Sequence, residues 1–164
     1  MSLDMAKDQY CSHCGTAHVH MGYPKTCTAC GEVTYQNPLA VAVALVPMGQ
    51  GVLTIRRNIP PFVGGLALPG GFQDMGETLE QAACREVFEE TGIQVDAQSA
   101  VYLGSRVAGA NTLVFFLFPN MYADAITQCV ISSEVQEVVV ASADIQLCFP
   151  LHGEILRQYF DKGM

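Results

Sequence analysis

Basic residues are scarce in this chain. Only 8 of its 164 residues are Lys or Arg, against 16 Asp or Glu, giving a net charge of −8 and an isoelectric point near 4.8. A surface that grips a nucleic-acid backbone needs clustered cations, so the composition argues against a nucleic-acid partner. It does not argue against a small phosphate-bearing substrate, because metal ions can supply the missing positive charge. Charge of either sign is sparse, at 15% of residues, and the mean hydropathy of +0.26 is high for a soluble chain. Even so, long hydrophobic runs are lacking. The longest, residues 39–48, falls well short of the ~20 residues needed to cross a bilayer. The first nine residues are polar and hold no apolar signal-peptide core, so a cytoplasmic protein without a membrane partner is expected. The length suits one domain of ordinary size with a small appendage.

Cysteine is the residue in excess. Four of the seven fall into two matching knuckles, Cys11-Ser12-His13-Cys14-Gly15 and Cys27-Thr28-Ala29-Cys30-Gly31, separated by twelve residues. The Gly after each second Cys lets the backbone turn tightly, so that both thiolates face one ion. Four thiolates close a tetrahedral site, which is structural rather than catalytic, and Zn²⁺ is the ion that suits it. Cys84, Cys129 and Cys148 remain, an odd number, which with no signal peptide points to a reducing compartment and metal rather than disulfides. His13, His18 and His20 read as exposed loop residues, since four Cys already complete the ligand set. A zinc ribbon over residues 8–36 is therefore expected. It carries one fixed cation, Lys25, which favours a packing or dimerising role over nucleic-acid binding.

The stretch from Gly71 to Ile93 is the most informative. A Gly/Pro-rich turn, Leu68-Pro69-Gly70-Gly71, leads into it. Residues 79–90 contain no Gly or Pro and are rich in helix formers. Thr78 fits an N-cap with Gln81 as its capping-box partner, and Gly92 fits the left-handed position past the C-terminus. Leu79, Ala83 and Val87 make the buried stripe. Glu86, Glu89 and Glu90 then emerge near one another on a different face. Like charges crowded at a helix C-terminus repel one another and oppose the macrodipole. A hard divalent cation with oxygen ligands, Mg²⁺ or Mn²⁺, relieves this. Arg85, four residues before Glu89, can brace it.

Gly71, Glu77, Arg85, Glu86, Val87, Glu89, Glu90, Gly92 and Ile93 fill every fixed position of Gly-x5-Glu-x7-Arg-Glu-U-x-Glu-Glu-x-Gly-U, where U is bulky and aliphatic. In this the chain resembles the Nudix hydrolases. The resemblance implies an α/β fold, a Nudix α/β/α sandwich over residues 37–164 behind the small zinc ribbon. It implies hydrolysis of a nucleoside diphosphate linked to another moiety, such as NADH or ADP-ribose. It implies that Glu86, Glu89 and Glu90 hold Mg²⁺ or Mn²⁺ while Glu77 and Arg85 support the loop and helix. Expected substrate contacts are Gly70 and Gly71 together with Arg56 and Arg57, at a strand end that approaches the cleft in this fold. Glu86, Glu134 and Glu137 are the candidate general bases. Many Nudix enzymes are homodimers, and a homodimer is the oligomeric state the resemblance suggests. The rival reading is a ligand-binding or regulatory module without turnover. A complete Glu set argues against it.

A ribbon ahead of a Nudix domain resembles NADH pyrophosphatases. Their Ser-Gln-Pro-Trp-Pro-Phe-Pro-x-Ser motif is absent, since the chain has no Trp and no Pro between Ile93 and Phe118. Elsewhere, residues 39–46 read as a central strand with residues 52–55 as its hairpin return. Residues 94–107 read as extended, residues 112–118 as a second buried strand, and residues 121–133 as a loop. Residues 134–140 read as a strand that opens with acids, and residues 151–160 as an amphipathic terminal helix.

Overall fold

The computed structural model describes residues 9–20, 22–121 and 132–162. Most of the expected 121–133 loop, and Cys129 with it, lies outside the described residues. The chain divides into two compact units, Met1–Pro38 and Leu39–Met164.

In the first unit, β1 (Lys25–Thr26) and β2 (Val33–Thr34) pair antiparallel, and Tyr10 bridges to Ala17. Each knuckle closes the same way. The Gly15 N–H donates to the Cys11 carbonyl and the Gly31 N–H to the Cys27 carbonyl, both at 2.9 Å. Both glycines are left-handed, with φ of 74° and 77°.

The second unit contains two sheets and two long helices. β3 (Leu39–Leu45) lies between β7 (Gly70–Phe72) and β9 (Asn111–Leu117), with β8 (Val101–Ala108) on the far side of β9. β3 and β9 run parallel in register from Leu39–Asn111 to Leu45–Leu117. The second sheet joins β4 (Pro47–Met48), β5 (Gly51–Arg57), β6 (Leu66–Ala67) and β10 (Val135–Ala141). The helices are α1 (Leu79–Thr91) and α2 (Pro150–Lys162).

Side-chain alternation along β3 and β9 builds the layers. Ala42, Ala44, Val114 and Phe116 pack with Ala82, Ala83 and Val87 of α1. Val43, Leu45, Leu113 and Phe115 pack with Ile155 and Leu156 of α2. Alanines on both strand and helix let α1 approach closely, which brings its acidic end over β7. The result is the α/β/α sandwich that the resemblance implied. Among the described residues, no helix is long and apolar enough to cross a membrane.

Two expectations need correction. Residues 39–46 and 52–55 do not form a hairpin, because β3 and β5 belong to different sheets. The hairpin partner of β5 is β4, through Pro47–Val52 and Met48–Gly51. Pro47 has no N–H to continue the β3 ladder, and the chain crosses between sheets there. Residues 94–107 are also not extended throughout. Asp96 accepts a hydrogen bond from the Gln98 N–H at 2.9 Å and caps a 3₁₀ turn, Ala97–Ser99, so the strand begins only at Val101.

Candidate active site and cysteine cluster

The local chemistry of α1 decides where its acids lie. Thr78 Oγ1 accepts from the Gln81 N–H at 3.3 Å, and Gln81 Oε1 accepts from the Thr78 N–H at 2.8 Å. At the other end, Gly92 (φ 75°) donates its N–H to Phe88 at 2.7 Å. Between these caps the three glutamates grade from inside to outside. Glu90 is buried at 6% exposure, the Glu86 side chain is 15% exposed and that of Glu89 is 56% exposed. Glu90 thus lies on the buried side with Val87, and does not share one solvent face with Glu89.

β7 meets this helix end through its glycines. The Gly70 N–H donates to Glu90 Oε2 at 3.0 Å. A Cβ on Gly70 would strike the Ala42 carbonyl, and one on Gly71 would strike the Glu86 carboxylate. Only Gly lets the strand and the carboxylate come this close.

Arg85 ties loop to helix. Its guanidinium donates to Glu77 at 2.8 and 3.2 Å, to the Phe72 carbonyl at 2.9 Å, to Glu86 at 2.7 Å and to Glu89 at 3.2 Å. Glu77 also accepts from the Asp74 N–H at 2.8 Å. The Arg85 hydrogen bonds hold the Glu77 carboxyl below the usual range. Burial pushes Glu86 up despite Arg85. Burial pushes Glu90 up to about 8, opposed by the Gly70 N–H and reinforced by the charge of Glu86. Among the described residues Glu90 has no ion-pair partner.

These groups line a cleft of about 560 Å³ with Arg57, Pro60, Pro61, Asp74, Ser133 and Glu134. Of the residues expected from sequence, the cleft collects Gly70, Gly71, Arg85, Glu86, Glu89, Glu90, Arg57 and Glu134. Glu77 stands behind it on Arg85. Arg56 and Glu137 lie outside the lining, paired with each other at 2.6 Å, with Arg56 also donating to the Gly64 carbonyl at 2.9 Å. Successive residues of β5 point to opposite faces, so only one of the two arginines can reach the cleft. Arg57 is steadied by donating to the Pro61 carbonyl at 2.8 Å and by lying over the Phe149 ring at 5.2 Å.

The cleft carboxylates are hard oxygen donors, which suits Mg²⁺ or Mn²⁺. No three of them have oxygens within 4.8 Å of one another, because Glu86 and Glu89 are turned to Arg85. A shared ion therefore requires side-chain rotation. The four Cys need none, since their sulfurs all lie within 4.8 Å. Cys11 and Cys30 are 3.7 Å apart and Cys14 and Cys27 3.6 Å. Tetrahedral Zn–S bonds of about 2.3 Å require sulfur separations of about 3.8 Å. The Thr16 hydroxyl and N–H pull Cys14 down to about 6.

Sequence reasoning missed Phe72 and Asp74 in the cleft, and His152 and Phe149 in an adjoining hollow. The first two lie within the signature at positions it leaves free. The hydrophobic pattern of α2 had marked only its apolar positions.

Comparison with known proteins follows the same lines. Residues 36–159 match the NUDIX domain family. The ADP-ribose pyrophosphatase of Methanocaldococcus jannaschii is 42% identical over 59 residues, which is 36% of this chain and 35% of the relative. The NAD-capped RNA hydrolase NudC of Haemophilus influenzae is 35% identical over 102 residues, 60% of this chain and 38% of the relative. The chain thus spans little more than a third of the length of these curated relatives. A solved Nudix hydrolase from Nitrosomonas europaea shares the fold, with a TM-score of 0.74 at 24% identity over 94% of this chain and 91% of that one.

His152 gives the unit a measurable acid sensitivity. Burial, helped by the Arg57 charge, pushes it down to about 3, whereas an unfolded His titrates near 6.5. Its contribution to stability is complete above pH 6.5. It is lost as pH falls toward 3, because only the unfolded chain takes up the proton. Between pH 7.5 and 5.5 the expected loss is about 1.4 kcal/mol. Denaturant unfolding at both pH values should show this loss in the wild type and not in His152→Gln. Equal losses in the two proteins would assign the sensitivity to another group.

Proposed function

The chain belongs to the Nudix family, and on that premise we propose that it is a divalent-metal-dependent pyrophosphohydrolase of nucleoside diphosphates linked to a second moiety. The observation that carries this reading is Glu90, a buried carboxylate without an ion-pair partner among the described residues. It sits beside Glu86 and Glu89 in a cleft that also presents Arg57.

Glu86, Glu89 and Glu90 would hold the metal. Bound there, it would supply charge neutralisation at the phosphates and activation of the attacking water. The protein supplies the rest. Arg57 meets the phosphates as a fixed cation. The Gly70 N–H orients Glu90, and Arg85 positions Glu86 and Glu89. Glu134 is exposed at the cleft, and its carboxylate has no hydrogen bond among the described residues. It is better placed to take the water's proton than Glu86, which is bound to Arg85. Glu137, paired with Arg56, is not a candidate. Cleavage yields a nucleoside monophosphate and a phosphorylated remainder.

NADH, NAD, ADP-ribose and dinucleoside polyphosphates contain the required bond. NAD-capped RNA, the substrate named for one relative, contains it too. The net charge of −8 favours the free dinucleotide over the RNA. Residues 8–36 are read as a structural zinc ribbon ahead of the hydrolase domain at 37–164.

Two experiments test these assignments. Glu90→Gln should lower turnover by ~10²-fold or more, the scale of losing a strong transition-state electrostatic contact. Glu80→Gln, on the same helix outside the cleft, should match the wild type. Wild-type turnover in Glu90→Gln would refute the metal assignment, and no cleavage of any of these compounds by the wild type would favour the binding-module reading. For the ribbon, elemental analysis should find one zinc per chain. Sub-stoichiometric zinc that does not rise on reducing reconstitution would exclude the site.

A further inference from the structure

Glu134 reaches the cleft from the position just before β10. Its side chain is exposed and its carboxylate makes no hydrogen bond among the described residues, so its placement is set through the backbone. Burial raises the Glu86 and Glu90 carboxyls, and the charge of Glu134 adds to both. That carboxylate therefore stands within electrostatic reach of the α1 acids. The turn behind it is partly self-contained. The Ser132 hydroxyl accepts from the Glu134 N–H at 3.3 Å, and the Ser132 carbonyl accepts from the Val135 N–H at 3.2 Å. Neither bond ties the turn to the cleft.

Asn58 supplies that tie. It is the first residue past β5 and follows Arg57 directly. Its N–H donates to the Glu134 carbonyl at 2.7 Å, and its Nδ2 donates to the Ser133 carbonyl at 2.9 Å. These carbonyls belong to the two peptide planes that flank the Glu134 Cα, so holding both sets the direction of its Cα–Cβ bond. The same partners fix the Asn58 amide. A carbonyl only accepts, so Nδ2 faces Ser133, and Oδ1 accepts from the Gln136 Nε2 amide at 3.3 Å. Gln136 is available for this because β10 carries a bulge. Val135 pairs with Arg57 and Glu137 with Arg56, which leaves Gln136 as the extra residue.

We propose that Asn58 is a positioning residue for the hydrolysis, holding the Glu134 carboxylate where it takes the proton of the attacking water. This rests on the hydrolase reading with Glu134 as its base. One strand end then sets both the cation that meets the phosphates and the carboxylate that activates water. The two are separable. The Arg57 guanidinium donates to the Ile59, Pro60 and Pro61 carbonyls and lies over the Phe149 ring, and none of these contacts passes through the Asn58 side chain. Removing the Asn58 amide therefore leaves the phosphate contact and the α1 acids in place and loosens the Glu134 turn alone. The backbone N–H of residue 58 remains, so the turn shifts rather than detaches. A base must lie within hydrogen-bond reach of the proton it takes, and a misplacement of ~1 Å can cost ~10²-fold in rate.

A double-mutant cycle tests this, read as steady-state turnover with Mn²⁺ of NADH, NAD, ADP-ribose and diadenosine polyphosphates. Asn58→Ala should lower kcat about tenfold or more on whichever compound is cleaved, with KM unchanged within about twofold. Its Mn²⁺ affinity should match the wild type. Glu134→Gln should lower kcat by ~10²-fold or more. Adding Asn58→Ala to Glu134→Gln should cost less than about a further twofold, because the carboxylate through which Asn58 acts is gone. An anchor with a purely structural role would cost the same in both backgrounds, and that result overturns the proposal. So does wild-type kcat in Asn58→Ala, or a loss confined to KM. Full turnover in Glu134→Gln removes the base, and this inference with it, while leaving the hydrolase reading standing. No cleavage of any of these compounds by the wild type overturns the hydrolase reading and this inference together.

Discussion

A single guanidinium holds the loop, the strand and the glutamate-bearing helix end together. Arg85 faces the Phe72 carbonyl and Glu77 on the loop side and Glu86 and Glu89 on its own helix. A planar fork can serve several acceptors at fixed angles, which a lysine ammonium on a flexible stem cannot do. Because the loop is pinned this way, β7 arrives with its Gly70 N–H aimed at Glu90 and with Gly71 under Glu86. Arg85 therefore acts through position. It orders the loop, the strand and two of the three acids that the strand faces.

The same corner sorts chemically identical carboxyls into different states. Glu77 is exposed little but bonded to Arg85, which stabilises its charged form. Glu90 is buried with a single N–H donor and no ion-pair partner among the described residues, and its charged form is disfavoured. Environment alone separates a structural acid from one that favours a proton or a cation. The unpaired buried carboxyl costs stability, and that cost is the physical mark of a site organised for something not supplied by the protein itself.

Much of this was legible in the sequence because the deciding residues act locally. Thr78, Gln81 and Gly92 announce the ends of α1 through their own backbone chemistry, and the structure bears out each cap. The two Cys knuckles likewise converge through short-range turns. What was not legible depends on tertiary register. Arg56 and Arg57 are equivalent as a charged pair. Only the pairing of β5 with β10, which sets Glu137 opposite Arg56, shows which one is left for the cleft. The sheet change at Pro47 and the role of His152 are similarly set by distant partners. An amphipathic pattern treats a histidine in the first turn of α2 as a neutral position, although Leu68 and Phe115 enclose it.

The proposed divalent-metal site consists of the buried Glu90 with Glu86 and Glu89 rotated toward it, while Arg85 fixes the loop and strand beside them. Titrating Mn²⁺ into zinc-replete protein and following the free-ion electron paramagnetic resonance signal tests it without any substrate. A saturable cleft site is expected in the wild type, with an affinity that falls about tenfold or more in Glu90→Gln. An unchanged Mn²⁺ affinity in that variant would contradict it.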